Sequence, residues 1–99
     1  MVDENFREKL NTYIENAQIE EEVLLFDNHS YDGALLGFTE DFRPIYDYDL
    51  MVEELMLDEG WDEEEAIEWL DYNTMRALAY MGDRAPIILM TKKEIVEEY

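Results

Sequence analysis

Asp27, His29 and Ser30 are the residues of this chain whose types best suit nucleophilic chemistry, since a serine activated by histidine and oriented by an aspartate is the standard acyl-transfer arrangement. Their spacing argues against it. Such groups converge on one substrate atom from separate chain segments, whereas side chains packed within four consecutive residues diverge. His29 is the only histidine and Ser30 the only serine of the 99 residues, so no second set exists. A polar turn is the plainer reading. Asn28, Ser30, Asp32 and Gly33 also match positions 1, 3, 5 and 6 of a calcium-binding loop, but position 12 is Thr39, where a bidentate glutamate is needed. Residues 27–32 therefore stay open only to weak divalent-metal binding. Paired carboxylates of the glycosidase kind carry no information among 27 acidic residues, and Gly33, Gly37, Gly60 and Gly82 are too scattered to cradle phosphate. No catalytic residue, metal ligand or cofactor is assigned, and the chain is expected to act without catalysis.

Acidic side chains supply the stronger signal. Asp47, Asp49, Glu53, Glu54, Asp58, Glu59, Asp62, Glu63, Glu64, Glu65, Glu68 and Asp71 fall between Arg43 and Arg76 with no basic residue among them. A mostly helical stretch of that length, at about 1.5 Å per residue, would run roughly 37 Å with a charge about every 3 Å, close to the axial charge spacing of one DNA strand. Helical geometry places Glu64, Glu68 and Asp71 on one face, with Glu65, Trp69, Tyr72, Arg76 and Tyr80 forming a stripe between that face and the core. The candidate partner-binding residues are Asp49, Glu53, Glu54, Asp58, Glu64, Glu65, Glu68 and Asp71, with Trp69 and Tyr72 as apolar anchors. The alternative is a solvated helix face with Trp69 and Tyr72 completing the core. Residue pattern alone leaves both open.

The elements that would position these residues can be read from periodicity. Phe6, Leu10, Tyr13, Ile14 and Ala17 predict a helix over about 4–18 with a core-facing stripe. Val23–Phe26 and Ala34–Phe38 read as two strands of a hairpin joined by the polar segment 27–30, with a third short strand from Arg43 to Tyr46. Tyr48, Met51, Val52 and Leu55 predict a helix stopped by Gly60. Asp62 and Glu65 suit a capping box for the next helix, which Ile67, Leu70, Thr74, Ala77, Leu78 and Met81 would carry through about five turns to Gly82. Pro86–Met90 is apolar on both faces, as a central strand would be. Thr91 and Glu94 suit a cap for a short last helix, about 92–98. The expected fold is one α+β domain over residues 1–99, a small antiparallel or mixed sheet of three to four strands against three to four helices.

Composition limits the function. With 27 acidic and 7 basic residues the formal charge is −20, well beyond the magnitude of roughly 2 to 8 usual for a small domain. Nucleic acids and anionic lipids would be repelled, so direct binding of either is excluded as a leading idea, and a basic protein surface becomes the natural partner. Hydrophobic residues make up 47% of the chain, enough to build a core and argue against disorder. The lack of cysteine fits a reducing cytoplasm, and neither an export signal at Met1–Asn5 nor a spanning apolar segment is evident. A cytoplasmic protein that touches no membrane is the expectation.

Particular segments carry a resemblance. Phe26-Asp27-Asn28, Tyr31-Asp32-Gly33-Ala34, Tyr46-Asp47-Tyr48, Glu64 to Trp69, Tyr72-Asn73-Thr74 with Arg76-Ala77, and Gly82 to Ile87 resemble small uncharacterised proteins of bacterial genomes and their phages. The likeness covers roughly residues 23–90. It implies a mobile-element setting and brings no catalytic motif. In that setting, very acidic proteins of this size include anti-CRISPR and anti-restriction inhibitors that are similar to DNA in charge. The resulting expectation is a non-enzymatic inhibitor blocking the nucleic-acid channel of a nuclease or CRISPR effector. The rival expectation is an acidic adaptor, antitoxin or accessory subunit that makes contact through the apolar and aromatic stripe.

Overall fold

Phe6, Leu10 and Ile14 recur at helical spacing, and the computed structural model, which describes residues 5–19 and 22–90, has helix α1 over Phe6–Asn16. Only Leu10 of the expected stripe is buried; Phe6 and Ile14 are half-buried, and Tyr13 and Ala17 are exposed. The stripe is thus only partly core-facing. Tyr13 instead packs against Phe38 and Phe42, at ring separations of 6.3 and 5.9 Å. The helix is tied down by Arg7, which donates to both carboxylate oxygens of Asp32 at 2.7 and 2.8 Å and to the Phe26 carbonyl at 2.8 Å.

Those bonds explain why the first expected strand does not form. Phe26 is buried, yet its N–H donates to the Tyr46 hydroxyl at 3.3 Å and its carbonyl accepts from Arg7, so side chains replace a neighbouring strand as partners. Val23–Phe26 is outside the sheet and in no regular element. Nor is the polar segment after it a hairpin turn. Asn28 accepts from the Ser30 N–H at 3.0 Å and caps a 3-10 helix over His29–Ala34, which buries Tyr31, Asp32 and Ala34.

The hairpin lies one step later. Strand β1 (Leu35–Phe38) pairs antiparallel with β2 (Pro44–Asp47), with a register shift between Leu35 and Gly37 that leaves Leu36 exposed. Thr39 organises the turn: its carbonyl accepts from Phe42 N–H, and its hydroxyl accepts from Arg43 N–H while donating to Asp41. Asp47 then caps helix α2 (Tyr48–Glu59) through the Leu50 N–H at 2.9 Å. Gly60 ends it in the left-handed conformation, φ 73°, as its position predicted.

Helix α3 (Glu63–Trp69) starts with the full Asp62–Glu65 capping box but does not continue for five turns. It widens into a π-helical turn over Leu70–Met75, followed by short 3-10 segments at Leu78–Tyr80 and Gly82–Arg84. Four-residue steps drift by about 40° around an α-helix, and a wider turn takes up that drift. Ala66, Leu70 and Thr74 are consequently all buried, and the Thr74 hydroxyl meets the Tyr31 hydroxyl at 2.6 Å. Ala77, expected in the core, is exposed instead.

Strand β3 (Ile87–Leu89) joins the sheet in parallel with β2, in the order β1-β2-β3. It is therefore an edge strand, not a central one. Ile87 and Ile88 are half-buried while Leu89 and Met90 reach solvent. Tyr46 of β2 holds the central place, with no exposed surface. The fold is α+β, a three-stranded mixed sheet whose buried cluster joins Phe26, Tyr31 and Tyr46 to Met51, Leu55 and Leu70 of the helices. The expected cap at Thr91 and the last helix lie outside the described residues. No described helix is long and apolar enough to cross a membrane.

The core tyrosines give the fold a pH dependence. Burial raises the hydroxyl pKa of Tyr31 and Tyr46 above its ordinary value of 10.0, against smaller opposing effects of the Thr74 bond and the Phe26 amide. Their contribution to stability is complete below that value and is lost as pH rises through the folded-state pKa, because the unfolded chain ionises first. Alkaline unfolding with tyrosinate absorbance rising in the same cooperative step is the expected result. Non-cooperative titration of all seven tyrosines with the fold intact would contradict it.

Candidate functional site

Helices α2 and α3 carry the acidic stretch, and the turn at Gly60 folds it back on itself. The Tyr48 hydroxyl, at the start of α2, donates to Asp71 beyond the end of α3 at 2.9 Å. The two ends of the stretch therefore meet, and the expected 37 Å rod does not exist. At about 1.5 Å per residue, α2 is only about 18 Å long. Charge is presented as a patch on a helical hairpin instead of a line.

The acids divide by duty. Asp47, Asp62 and Glu65 cap helices, and Asp71 anchors Tyr48. Glu54 is half-buried, its carboxylate lying over Gly33 where a Cβ would collide with it. Asp49 is also half-buried. Glu53, Asp58, Glu59, Glu63, Glu64 and Glu68 are exposed and, among the described residues, make no hydrogen bond or ion pair. Of the candidate residues, Glu53, Asp58, Glu64 and Glu68 are thus directly available to a partner. Glu65 and Asp71 also reach solvent, each with one oxygen already engaged.

The four arginines do little to neutralise this patch. Arg7 pairs with Asp32, which holds the guanidinium above its ordinary pKa chiefly through their hydrogen bonds. Arg84 pairs with Asp41 at 3.3 Å, and Arg43 donates to the Ala85 carbonyl at 3.0 Å. Arg76 lies over the Tyr72 ring, 4.8 Å from its centroid.

Trp69 and Tyr72 do not complete the core. Trp69 is 36% exposed, Tyr72 69% and Tyr80 91%. The indole of Trp61 packs beside that of Trp69, with centroids 5.9 Å apart and planes at 43°. Two shallow grooves share Glu68 and Tyr72. One, of about 380 Å³, runs along Trp61, Glu65, Trp69 and Asn73; the other, of about 460 Å³, runs along Ile67, Asp71 and Arg76. Aromatic surface next to unpaired carboxylate can bind cationic side chains, since a positive charge is attracted both to the ring face and to the acid.

Sequence reasoning missed Trp61 as part of this surface and Leu57 as an exposed apolar side chain of α2. The signal for Leu57 was present: with Tyr48, Met51, Val52 and Leu55 inward, residue 57 falls on the opposite side of α2. The pairing of Trp61 with Trp69 had no such signal, because it depends on the turn angle at Gly60.

The other candidate cluster is used structurally. Asp32 is buried and spanned by Arg7, while His29 hydrogen-bonds to neither Asp27 nor Ser30. Among the described residues, no group of three or more histidine and carboxylate side chains converges to hold a metal ion.

The duty of Asp71 is testable. Asp71→Ala removes a carboxylate that accepts from the hydroxyl of the buried Tyr48 and should cost about 1–2 kcal/mol in urea unfolding. Glu64→Ala should stay within about 0.5 kcal/mol of the parent, as expected for an exposed residue without a partner. Equal effects would contradict the division of duties. No family model, curated protein or solved structure matches this chain.

Proposed function

We propose that this protein is a non-enzymatic inhibitor whose α2–α3 face docks on a basic protein surface, in the nucleic-acid channel of a nuclease or CRISPR effector. A phage or other mobile element would supply it, and it would act in the bacterial cytoplasm against host defence. One observation carries the reading: Glu64 and Glu68 stand unpaired in solvent beside exposed Trp69 and Tyr72. Folding alone gives no reason for that arrangement, because mixed charges would stabilise the helix better and burial of the rings would add to the core. Field and anchor together suit recognition. The charge steers the approach of a basic partner, and the aromatic groups hold what arrives.

Salt provides the test. Binding to a purified basic effector should weaken steadily from about 50 to 500 mM salt, because the Debye length shrinks from about 14 Å to about 4 Å and uncouples neighbouring carboxylates. Duplex DNA should compete for the same surface. A dissociation constant flat across that range, with no competition from DNA, favours the second reading, an acidic adaptor, antitoxin or accessory subunit. The exposure of Trp69, Tyr72 and Tyr80 is the observation that supports that alternative.

A further inference from the structure

We propose that the groove along Trp61, Trp69 and Tyr72 is a pocket for one arginine side chain of a basic protein segment, an inference that rests on reading the α2–α3 face as a docking surface. Three observations point to that occupant. The groove, about 380 Å³, has aromatic walls with Glu65 and Glu68 on its border. Glu68 makes no hydrogen bond or ion pair among the described residues, so its carboxylate can accept both N–H groups of a guanidinium edge. The third observation is internal: a guanidinium already lies on this patch, that of Arg76 over Tyr72 at 4.8 Å. Arg76 lines the neighbouring groove and not this one, so among the described residues no cation lines the Trp side of Tyr72.

Geometry narrows the binding mode. A flat cation sandwiched between two rings needs them about 7 Å apart, twice the contact distance of about 3.5 Å. The Trp61 and Trp69 centroids are 5.9 Å apart. The guanidinium therefore lies in the groove against Trp69 and Tyr72 and not between the two indoles, with Trp61 packed beside Trp69 as a further wall. Arginine is selected over lysine because its planar, weakly hydrated head stacks on a ring and bonds a carboxylate through two donors, whereas an ammonium is a strongly hydrated point charge.

Trp61 and Trp69 are the only tryptophans of the chain, so tryptophan emission, excited at the red edge where the seven tyrosines do not absorb, reports on this groove. N-acetyl-arginine amide, titrated at constant ionic strength, should produce a saturable change in the millimolar range. N-acetyl-lysine amide should bind about threefold more weakly or worse, and Glu68→Gln and Tyr72→Ala should each weaken the arginine response about threefold. Circular dichroism matching the parent checks that both variants fold. A response identical for arginine, lysine and sodium chloride would overturn the pocket, as would a full arginine response in both Glu68→Gln and Tyr72→Ala. The two proposals separate cleanly. Arginine binding without capture of any basic nucleic-acid-binding effector leaves the pocket and removes the channel reading; salt-sensitive capture without an arginine response does the reverse.

Discussion

Replacing Glu64 and Glu68 together with lysine should weaken binding to a basic partner on the order of a hundredfold while leaving the protein folded. Each carboxylate is exposed and without a partner among the described residues, so neither holds the structure. An exposed ion pair contributes up to about 1 kcal/mol, and reversal replaces that attraction with a comparable repulsion, so two reversals amount to at most about 4 kcal/mol, of which a hundredfold loss takes about 2.8 kcal/mol. Stability should barely move. Lysine at position 64 forfeits a favourable place near the start of α3, at about 0.5 kcal/mol. Against that, net charge falls from −20 to −16, since each substitution adds two units, and self-repulsion eases. Asp71 is left out of this variant because its loss would disturb Tyr48 and confuse folding with binding. The measurements are titration against a purified effector at low salt and a thermal melt. A folded double variant that binds like the parent would remove the acidic face from the mechanism.

The largest stability effect is expected at Arg7. Asp32 is only 7% exposed, and both of its oxygens are held by the guanidinium, which also satisfies the Phe26 carbonyl. Arg7→Ala leaves a carboxylate buried with no counter-charge, for which about 3 kcal/mol is expected, and in a domain of this size that lowers the melting temperature by about 12–20 °C. Arg7→Lys should recover less than half of the loss, since a single ammonium cannot span both oxygens and reach Phe26 as well. Arg7→Met combined with Asp32→Asn should be milder than Arg7→Ala, as no unpaired charge remains. Hydrogen exchange adds a spatial check. Leu10 is the only buried residue of α1, so amides of Phe6–Asn16 should lose protection before those of α2. Uniform loss of protection across both helices would mean that Arg7 stabilises the whole core and not the docking of one helix.

Placed together, these expectations separate two layers in the molecule. Asp32, Asp47, Asp62, Glu65 and Asp71 are acids that the fold consumes, each receiving a named donor. Glu53, Asp58, Glu59, Glu63, Glu64 and Glu68 are acids that the fold leaves over. An excess charge of −20 draws on both groups, but only the second can be offered to a partner without destabilising the protein. Variants that alter binding and variants that alter stability should accordingly fall on different residues of the same two helices.

The local signals in the chain were reliable where their energetics are local. Gly60 stops α2 because only a residue without Cβ takes the left-handed conformation at no steric cost, and Asp62 with Glu65 satisfies amides within a single turn. The helical faces of α2, the strands at 35–38 and 44–47 and the α+β class follow from periods that involve only neighbouring residues. Tertiary structure decided the rest, because each remaining question turned on a partner distant in the chain. Val23–Phe26 has the composition of a strand, yet Arg7 and Tyr46 claim the backbone groups of Phe26 before a ladder can. Pro86–Met90 has the composition of a central strand, yet among the described residues it has only β2 as a neighbour. The run from Asp62 to Met81 reads as one helix, until Tyr31 and the core hold Thr74 in line with Leu70 and open a π turn. At the candidate site, the abundance of unpaired charge was legible from composition. That Tyr72 faces solvent, that Trp61 comes to rest beside Trp69, and that Asp71 serves Tyr48 were fixed only when the chain folded back at Gly60 and brought the two ends of the acidic stretch together.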